Sequence, residues 1–144
     1  MGGHGGNDVT STLSSVERFD LSTGVWSAVA DISTTRAECS VAVLDGKLYA
    51  VGGYDETSTD LSSVEFFDPS TGLWSAVANM SVARYSHGVA AVNGKLCVAG
   101  GQNDDDYFLS SAECFDPSTG QWSAAAAMST ARTCLGVASL ECPE

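Results

Sequence analysis

The chain has 144 residues, 44% of them hydrophobic, which is enough apolar surface for the core of one ordinary domain and unlike a disordered composition. Eighteen acidic residues against six basic ones give a net charge of −12, which excludes a phosphate backbone as partner, since no Lys/Arg cluster is present to replace its counterions. No apolar run reaches the 18 residues of a membrane helix and no charged head precedes a short apolar leader, so a soluble, cytoplasmic protein is expected.

In chain order, Gly2-Gly3-His4-Gly5-Gly6 comes first; it lacks the lysine and the following helix of a phosphate-cradling loop. A polar loop is expected from Asn7 to Leu13. A repeating unit then opens at Ser14: residues 14–53 align without a gap to 62–101 and are identical at 23 of 40 positions, so the chain is a tandem array. Its marks recur at a step of 48: Glu17, Glu65 and Glu113; Asp20, Asp68 and Asp116; Trp26, Trp74 and Trp122; Arg36, Arg84 and Arg132. A fixed period means one supersecondary unit copied and stacked, each copy burying the apolar face of its neighbour.

Every element reads as strand, because no segment keeps a 3.6-residue apolar period over a helix length. The first strand of a unit is Ser40 to Leu44, repeated at Gly88 to Val92 and Gly136 to Leu140; its near-continuous small and β-branched residues suit burial on both faces. Asp45-Gly46 and Asn93-Gly94 predict two-residue type I′ hairpins, whose central positions both need positive φ. The return strands, Lys47 to Val51 and Lys95 to Ala99, end in Gly52-Gly53 and Gly100-Gly101, where the chain leaves a crowded interior. Variable polar loops follow, Tyr54 to Leu61 and Gln102 to Leu109. Gly5-Gly6 suits the same double-glycine slot if the following loop is one residue shorter.

The third strand, Ser63 to Phe67 or Ser111 to Phe115, runs into Asp-Pro-Ser-Thr-Gly, a stretch of turn residues, and the fourth carries the tryptophan. Four antiparallel strands per unit, with one large aromatic on each outer strand, describe a propeller blade in which the tryptophan wedges between adjacent sheets. The expected boundaries are 1–34, 35–82 and 83–130, with a terminal inner strand in 131–144.

The five cysteines, Cys39, Cys97, Cys114, Cys134 and Cys142, are odd in number and unpatterned, and are read as reduced thiols. Asn79-Met80-Ser81 matches a glycosylation acceptor but needs a secretory route. Asp104-Asp105-Asp106 lacks the spacing of a calcium loop and reads as a solvated turn. His4 and His87 occupy non-equivalent positions without companion ligands, and no nucleophile elbow or zinc motif occurs.

In the order Gly-Gly, Glu, Phe-Asp-Pro-x-Thr-Gly-x-Trp, Met-x-x-x-Arg, the chain resembles the kelch repeat family over essentially its whole length. By that resemblance Gly52, Gly53, Gly100 and Gly101 stand for the family's double glycine and Trp26, Trp74 and Trp122 for its tryptophan, while Leu21 replaces the proline of Pro69 and Pro117. The resemblance implies an all-β propeller of about three four-stranded blades in an incomplete ring, used for binding protein or peptide partners as a scaffold or substrate-recognition part of a larger protein. It also leaves two alternatives: a galactose-oxidase-like copper enzyme remnant, whose tyrosine, cysteine and histidine ligand set cannot be assembled here, and a purely structural fragment. No cofactor, metal or catalytic residue is expected.

Three blades are too few to close a ring. The array is therefore expected either to be a segment of a longer propeller or to pair head to tail as a homodimer completing a six-bladed ring, with the second strand of its last blade missing. Arg36, Arg84 and Arg132 suit bridging blade to blade or capping exposed carbonyls, and ligand contact as well. Strand direction alternates, so the loops after the double glycines and the Met-x-x-x-Arg loops share one face. The candidate partner-binding face is Tyr54, Asp55, Glu56, Asp60, Arg84, Tyr85, Asn103, Asp104, Asp105, Tyr107 and Phe108, with aromatic anchors and carboxylates that favour a basic partner.

Overall fold

Short β-branched runs between turn residues give only strands. The computed structural model describes residues 3–5 and 8–139. Among them, β1 (His4–Gly5) pairs with β2 (Asp8–Thr12), and β3 (Val16–Asp20) with β4 (Val25–Val29). Two four-stranded antiparallel sheets follow in simple meander order: β5 (Ser40–Leu44), β6 (Lys47–Val51), β7 (Val64–Asp68), β8 (Leu73–Ala76), and β9 (Gly88–Val92), β10 (Lys95–Ala99), β11 (Ala112–Asp116), β12 (Gln121–Ala125). These are two complete blades preceded by the outer half of another, and the sheets do not close on themselves.

The hairpins form as the sequence predicts. Asp45 and Gly46 have φ of 50° and 74°, Asn93 and Gly94 of 49° and 72°, the two positive values a type I′ turn demands. The outer turns are tied by aspartate: Asp20, Asp68 and Asp116 each accept from the backbone N–H and hydroxyl of the serine two residues on. Those bonds stabilise the carboxylate, with Ser118 first and Lys95 next holding Asp116 down to about 2.

The core lies between the two complete blades. Leu44, Tyr49, Val51, Val64 and Met80 of one meet Val89, Leu96, Val98 and Phe115 of the other, with the Tyr49 and Phe115 rings 6.4 Å apart. Full burial of such side chains stabilises by about 1.5 to 3 kcal/mol each, so the blade contact is the main energetic unit. The double glycines admit it. A Cβ on Gly52 would lie 2.4 Å from the Arg84 carbonyl oxygen and one on Gly53 2.5 Å from that of Ala37, so this corner is gripped by the loop into its own blade and the loop into the next.

Four expectations are corrected. The stretch Asn7 to Leu13 is not all loop: Asp8–Thr12 is β2, because Val9, Thr10 and Thr12 favour extended backbone and β1 offers a partner. Gly3, not Gly5-Gly6, fills the glycine slot: its N–H donates to the Arg36 carbonyl and its carbonyl accepts from Leu13, as Gly53 does with Arg84 and Leu61, and Gly101 with Arg132 and Leu109. Gly6 lies outside the described residues.

The terminal inner strand does not form over 135–139, which has no ladder partner among the described residues; it lies against the neighbouring blade, with Val137 over Gly88 and Leu135 over Gly100. Leu140 to Glu144 are outside the description.

Finally, Cys97 and Cys114 are not reduced thiols but a disulfide. They face each other in register on β10 and β11 with Cα atoms 4.1 Å apart, a contact set by strand pairing that a spacing of 17 residues does not advertise. Cys39 and Cys134 are free, and Cys142 is outside the described residues.

Candidate functional site

Beneath the rim where the variable loops emerge, each complete blade holds one buried arginine. Arg36 comes from the loop between β4 and β5 and is 0% exposed. Its Nη1 donates to the carbonyls of Gly52 (2.9 Å) and Ser63 (3.0 Å), and its Nη2 to the Ser63 hydroxyl (2.9 Å) and Glu65 Oε1 (2.8 Å). The other Glu65 oxygen accepts from the Ser33 backbone N–H and hydroxyl. Burial by itself raises a carboxyl, but the Ser33 and Arg36 bonds together outweigh it and leave Glu65 below its usual range.

The next blade repeats the arrangement. Arg84, also 0% exposed, donates to Gly100, Ser111 and Glu113, and Glu113 accepts from Ser81. Burial lowers the Arg84 pKa, against the opposing pull of Glu113. These bonds knit the loop that enters a blade to that blade's second and third strands. They also correct one expectation: Arg84 lies under the partner-binding face and offers it no donor, because its fork is spent on carbonyls and a carboxylate. Arg132, at the same repeat position, is exposed.

The tryptophans bind blade to blade. Trp74 Nε1 donates to the Ala30 carbonyl and Trp122 Nε1 to that of Ala78, each at 2.8 Å and each onto the preceding blade, while the rings pair across the strands with Phe67 and Phe115. Trp26, which has no preceding blade among the described residues, is 62% exposed.

On the rim, loops from both complete blades converge. Tyr54 follows the first double glycine and bridges to Ala37 and Asp60; Tyr85 follows Arg84 and bridges to Gln102. Their rings meet edge to face at 5.4 Å. With Glu38, Ser58, Asp60, Gln102 and Asp104 they line one open groove. A wider groove of roughly 720 Å³ continues it between Thr57 to Asp60, Ser81 to Ala83 and Asn103 to Asp106.

The loops are locked together there. The Asp104 N–H donates to Asp60 at 2.7 Å and the Asn103 amide to the Ala83 carbonyl at 3.0 Å. Partial burial, with the charges of Asp104 and Asp105 in support, raises the Asp60 pKa despite that hydrogen bond. Burial, then the Glu38 carboxylate, raises the Tyr54 hydroxyl. The groove is thus acidic and aromatic, chemistry suited to holding a cation on a short stem.

Of the face expected from sequence, Tyr54, Asp60, Tyr85, Asn103, Asp104 and Asp105 line these grooves. Asp55 and Glu56 sit in the same loop outside them, Asp55 accepting from Thr57 and Thr59 to close its turn. Tyr107 and Phe108 form an edge-on pair of their own, 81% and 48% exposed. Glu38, Ser58 and Gln102 were missed. Glu38 had a signal: the position two after each arginine varies between copies, Glu38, Ser86 and Cys134, while keeping φ near 50°, which marks an exposed turn rather than core.

Comparison with known proteins agrees with this architecture. Human Kelch-like protein 5 is 52% identical over 50 residues, 34% of this chain and 7% of that protein. Mouse Kelch-like protein 1 is 45% identical over 49 residues, 34% and 6%. The vaccinia virus (strain Western Reserve) Kelch repeat protein C2 is 46% identical over 41 residues, 28% and 8%. The matches span less than a tenth of the length of these relatives. The solved structure of YjhT superposes with a TM-score of 0.65 at 24% identity, over 73% of this chain and 42% of that one, a likeness of fold. No helix among the described residues is long and apolar enough to cross a membrane. With the kelch motif matched at residues 1–33, 35–81 and 83–129, on the same glycines, arginines and tryptophans that build the blades, the chain belongs to the kelch repeat family.

Proposed function

We propose that the chain is a non-catalytic protein-interaction module whose rim groove binds a basic segment of a protein partner, as a substrate-recognising surface within a larger protein. The observation that carries this is the groove itself: the Tyr54 and Tyr85 rings stand edge to face among Glu38, Asp60 and Asp104, on loops tied to each other by the hydrogen bond from the Asp104 N–H to Asp60. Aromatic anchors supply contact area at small entropy cost, and carboxylates steer a Lys- or Arg-bearing segment and reject an acidic one. The non-catalytic part of this reading rests on the chemistry of the candidates. His87 is 3% exposed inside the molecule, and Cys97 and Cys114 are bonded to each other, so these three side chains are withdrawn from a copper ligand set. The blade boundaries expected from sequence and a cytoplasmic setting belong to the same proposal.

The test is binding of fluorescent lysine-rich, arginine-rich and glutamate-rich peptides of equal length to the intact chain. Basic peptides are expected to bind with an affinity that falls as salt rises, and Asp104→Asn with Asp105→Asn is expected to weaken them about tenfold. Equal binding of acidic and basic peptides, or no change in the double variant, would sink the proposal.

A further inference from the structure

The two grooves of the rim share Ser58, Asp60 and Asp104 as a common wall and differ in what stands opposite it. The wider groove is lined by small and polar side chains and carboxylates, with no aromatic ring. The narrower one is cornered by Tyr54 and Tyr85, both half-buried, with ring planes at 83° and centroids 5.4 Å apart. Tyr54 follows β6 of one complete blade and Tyr85 precedes β9 of the next, so the corner is built across their seam. Backbone bridges from Tyr54 to Ala37 and from Tyr85 to Gln102 fix both residues before any ligand arrives.

The carboxylates of this corner meet no cation of the chain. The ion pairs among the described residues engage Glu65, Asp68, Glu113 and Asp116, none of which lines the narrow groove. Glu38 accepts from the Tyr54 and Ser86 hydroxyls and Asp60 from the Asp104 N–H, all uncharged donors. Burial first, with the charges of Asp104 and Asp105 in support, raises the Asp60 pKa, the mark of negative charge held without a counter-ion. An occupant that brings both a cation and several N–H donors relieves that crowding.

Given that the rim binds a basic segment, as proposed above, we infer that the side chain it seats against Tyr54 and Tyr85 is an arginine, read in preference to lysine or methylated lysine. A guanidinium is flat. Laid on the ring whose edge meets its neighbour, it turns its own N–H edge toward the same neighbouring face and so continues the edge-to-face order of the pair. Its planar fork of donors can serve Glu38 and Asp60 together. A lysine ammonium is a compact, strongly hydrated point charge that gains less from a flat ring. Trimethyl-lysine suits ring faces but donates no hydrogen bond, and would strip water from these carboxylates without replacing it. The wider groove has carboxylates and no ring, so it attracts either cation and distinguishes them poorly. Selectivity therefore belongs to the tyrosine corner.

The experiment is a fluorescence-anisotropy titration of the intact chain with an arginine-rich peptide and with its lysine, trimethyl-lysine and citrulline counterparts of equal length, at one salt concentration. The first three carry the same charge, so long-range steering is equal and their ranking reports short-range fit. The arginine peptide is expected to bind about tenfold more tightly than the lysine and trimethyl-lysine peptides, with citrulline weakest. In Tyr85→Leu the preference for arginine over lysine is expected to fall to about twofold, and Tyr85→Phe, which keeps the ring, is expected to restore it. The ranking on the unaltered chain needs no variant to fold. Equal binding of the arginine and lysine peptides overturns the arginine subsite and leaves the basic-segment reading standing. Tightest binding of trimethyl-lysine overturns it in favour of an alkylammonium cage, and a preference unchanged in folded Tyr85→Leu overturns it by placing the selectivity elsewhere. Failure of every cationic peptide to bind overturns the basic-segment reading and this inference with it.

Discussion

The middle of the array and its two ends carry the same residues in different states. Arg36 and Arg84 are completely buried and Trp74 and Trp122 bridge blades, whereas Arg132, Glu17 and Trp26 lie open. The difference is not in the side chains, since all three copies share the same repeat residues and the same aspartate-tied outer turn. It lies in whether the next repeat stands among the described residues. A kelch residue is therefore a half-contact, and its energetic worth belongs to a pair of neighbouring repeats.

The largest test of that contrast sets Arg84 against Arg132. Replacing Arg84 with methionine leaves Glu113 buried without its cation and withdraws a donor from the Gly100 and Ser111 carbonyls and the Ser111 hydroxyl, and is expected to cost about 3 to 5 kcal/mol in urea unfolding. Arg132→Met, made at a concentration where the chain is a monomer, is expected to cost less than about 0.5 kcal/mol. Equal losses would mean that the exposed end is structured by something other than its neighbours, and the contrast would fall.

How far the sequence reveals these states follows from the same point. The period located the blades, the hairpins and the double glycines, because each is a local requirement: a positive φ at Gly46, or a Cβ forbidden at Gly53. What it hid depended on pairing. Cys97 and Cys114 are unpatterned in sequence and become neighbours only once β10 and β11 are in register. Segment 135–139 has a strand's composition and no partner among the described residues to make it one. Arg84, expected to line the binding face, points inward because Glu113 lies there, 29 residues on. The acidic groove is legible as loops of variable content, and Glu38 only as the position two after each arginine that varies between copies, in a connection outside those loops.

A second contrast, of intermediate size, is between the two complete blades at one register position. Tyr49 and Phe66 oppose each other on β6 and β7, with rings 5.7 Å apart, where the next blade has Cys97 and Cys114. The aromatic pair stabilises by packing and the disulfide by closing a loop of 17 residues in the unfolded chain, worth about 3 kcal/mol in the chain-entropy account. Reduction is therefore expected to lower stability by about 2 to 3 kcal/mol. Cys97→Tyr with Cys114→Phe, the pair borrowed from the other blade, is expected to recover part of it and to make stability indifferent to reductant. An unaltered unfolding midpoint on reduction, with free thiols verified, would show that the bond closes nothing the strands had not already closed.

The smallest effect at neutral pH concerns what sits against the double glycines. Cys39, His87 and Leu135 are equivalent by the 48-residue step and pack there in turn: the Cys39 Cβ beside Gly53, His87 beside Gly52 and Gly101, Leu135 beside Gly100. His87 is the anomaly, 3% exposed with neither ring nitrogen in a hydrogen bond of good geometry. Burial first, then the Arg84 charge, lowers its pKa to about 3, and the nearby Arg84 carbonyl offsets this only in part. The unfolded chain takes up a proton on this histidine below about 6.5, and the folded chain does so only near 3. Stability is thus fully present above the first value and is lost as pH falls toward the second, by up to about 1.4 kcal/mol per pH unit. His87→Leu, which copies Leu135, is expected to raise stability by about 1 kcal/mol at pH 7.5 by removing two unpartnered nitrogens, and by about 3 kcal/mol at pH 5, where the protonation penalty is removed too. Acid loss from Glu65, whose lowered pKa acts below the usual carboxylate range, persists in both proteins and cancels in the difference. Unfolding measured by urea at four pH values between 7.5 and 5 decides it: parallel profiles for the two proteins would show that the His87 ring reaches solvent or a partner when it titrates.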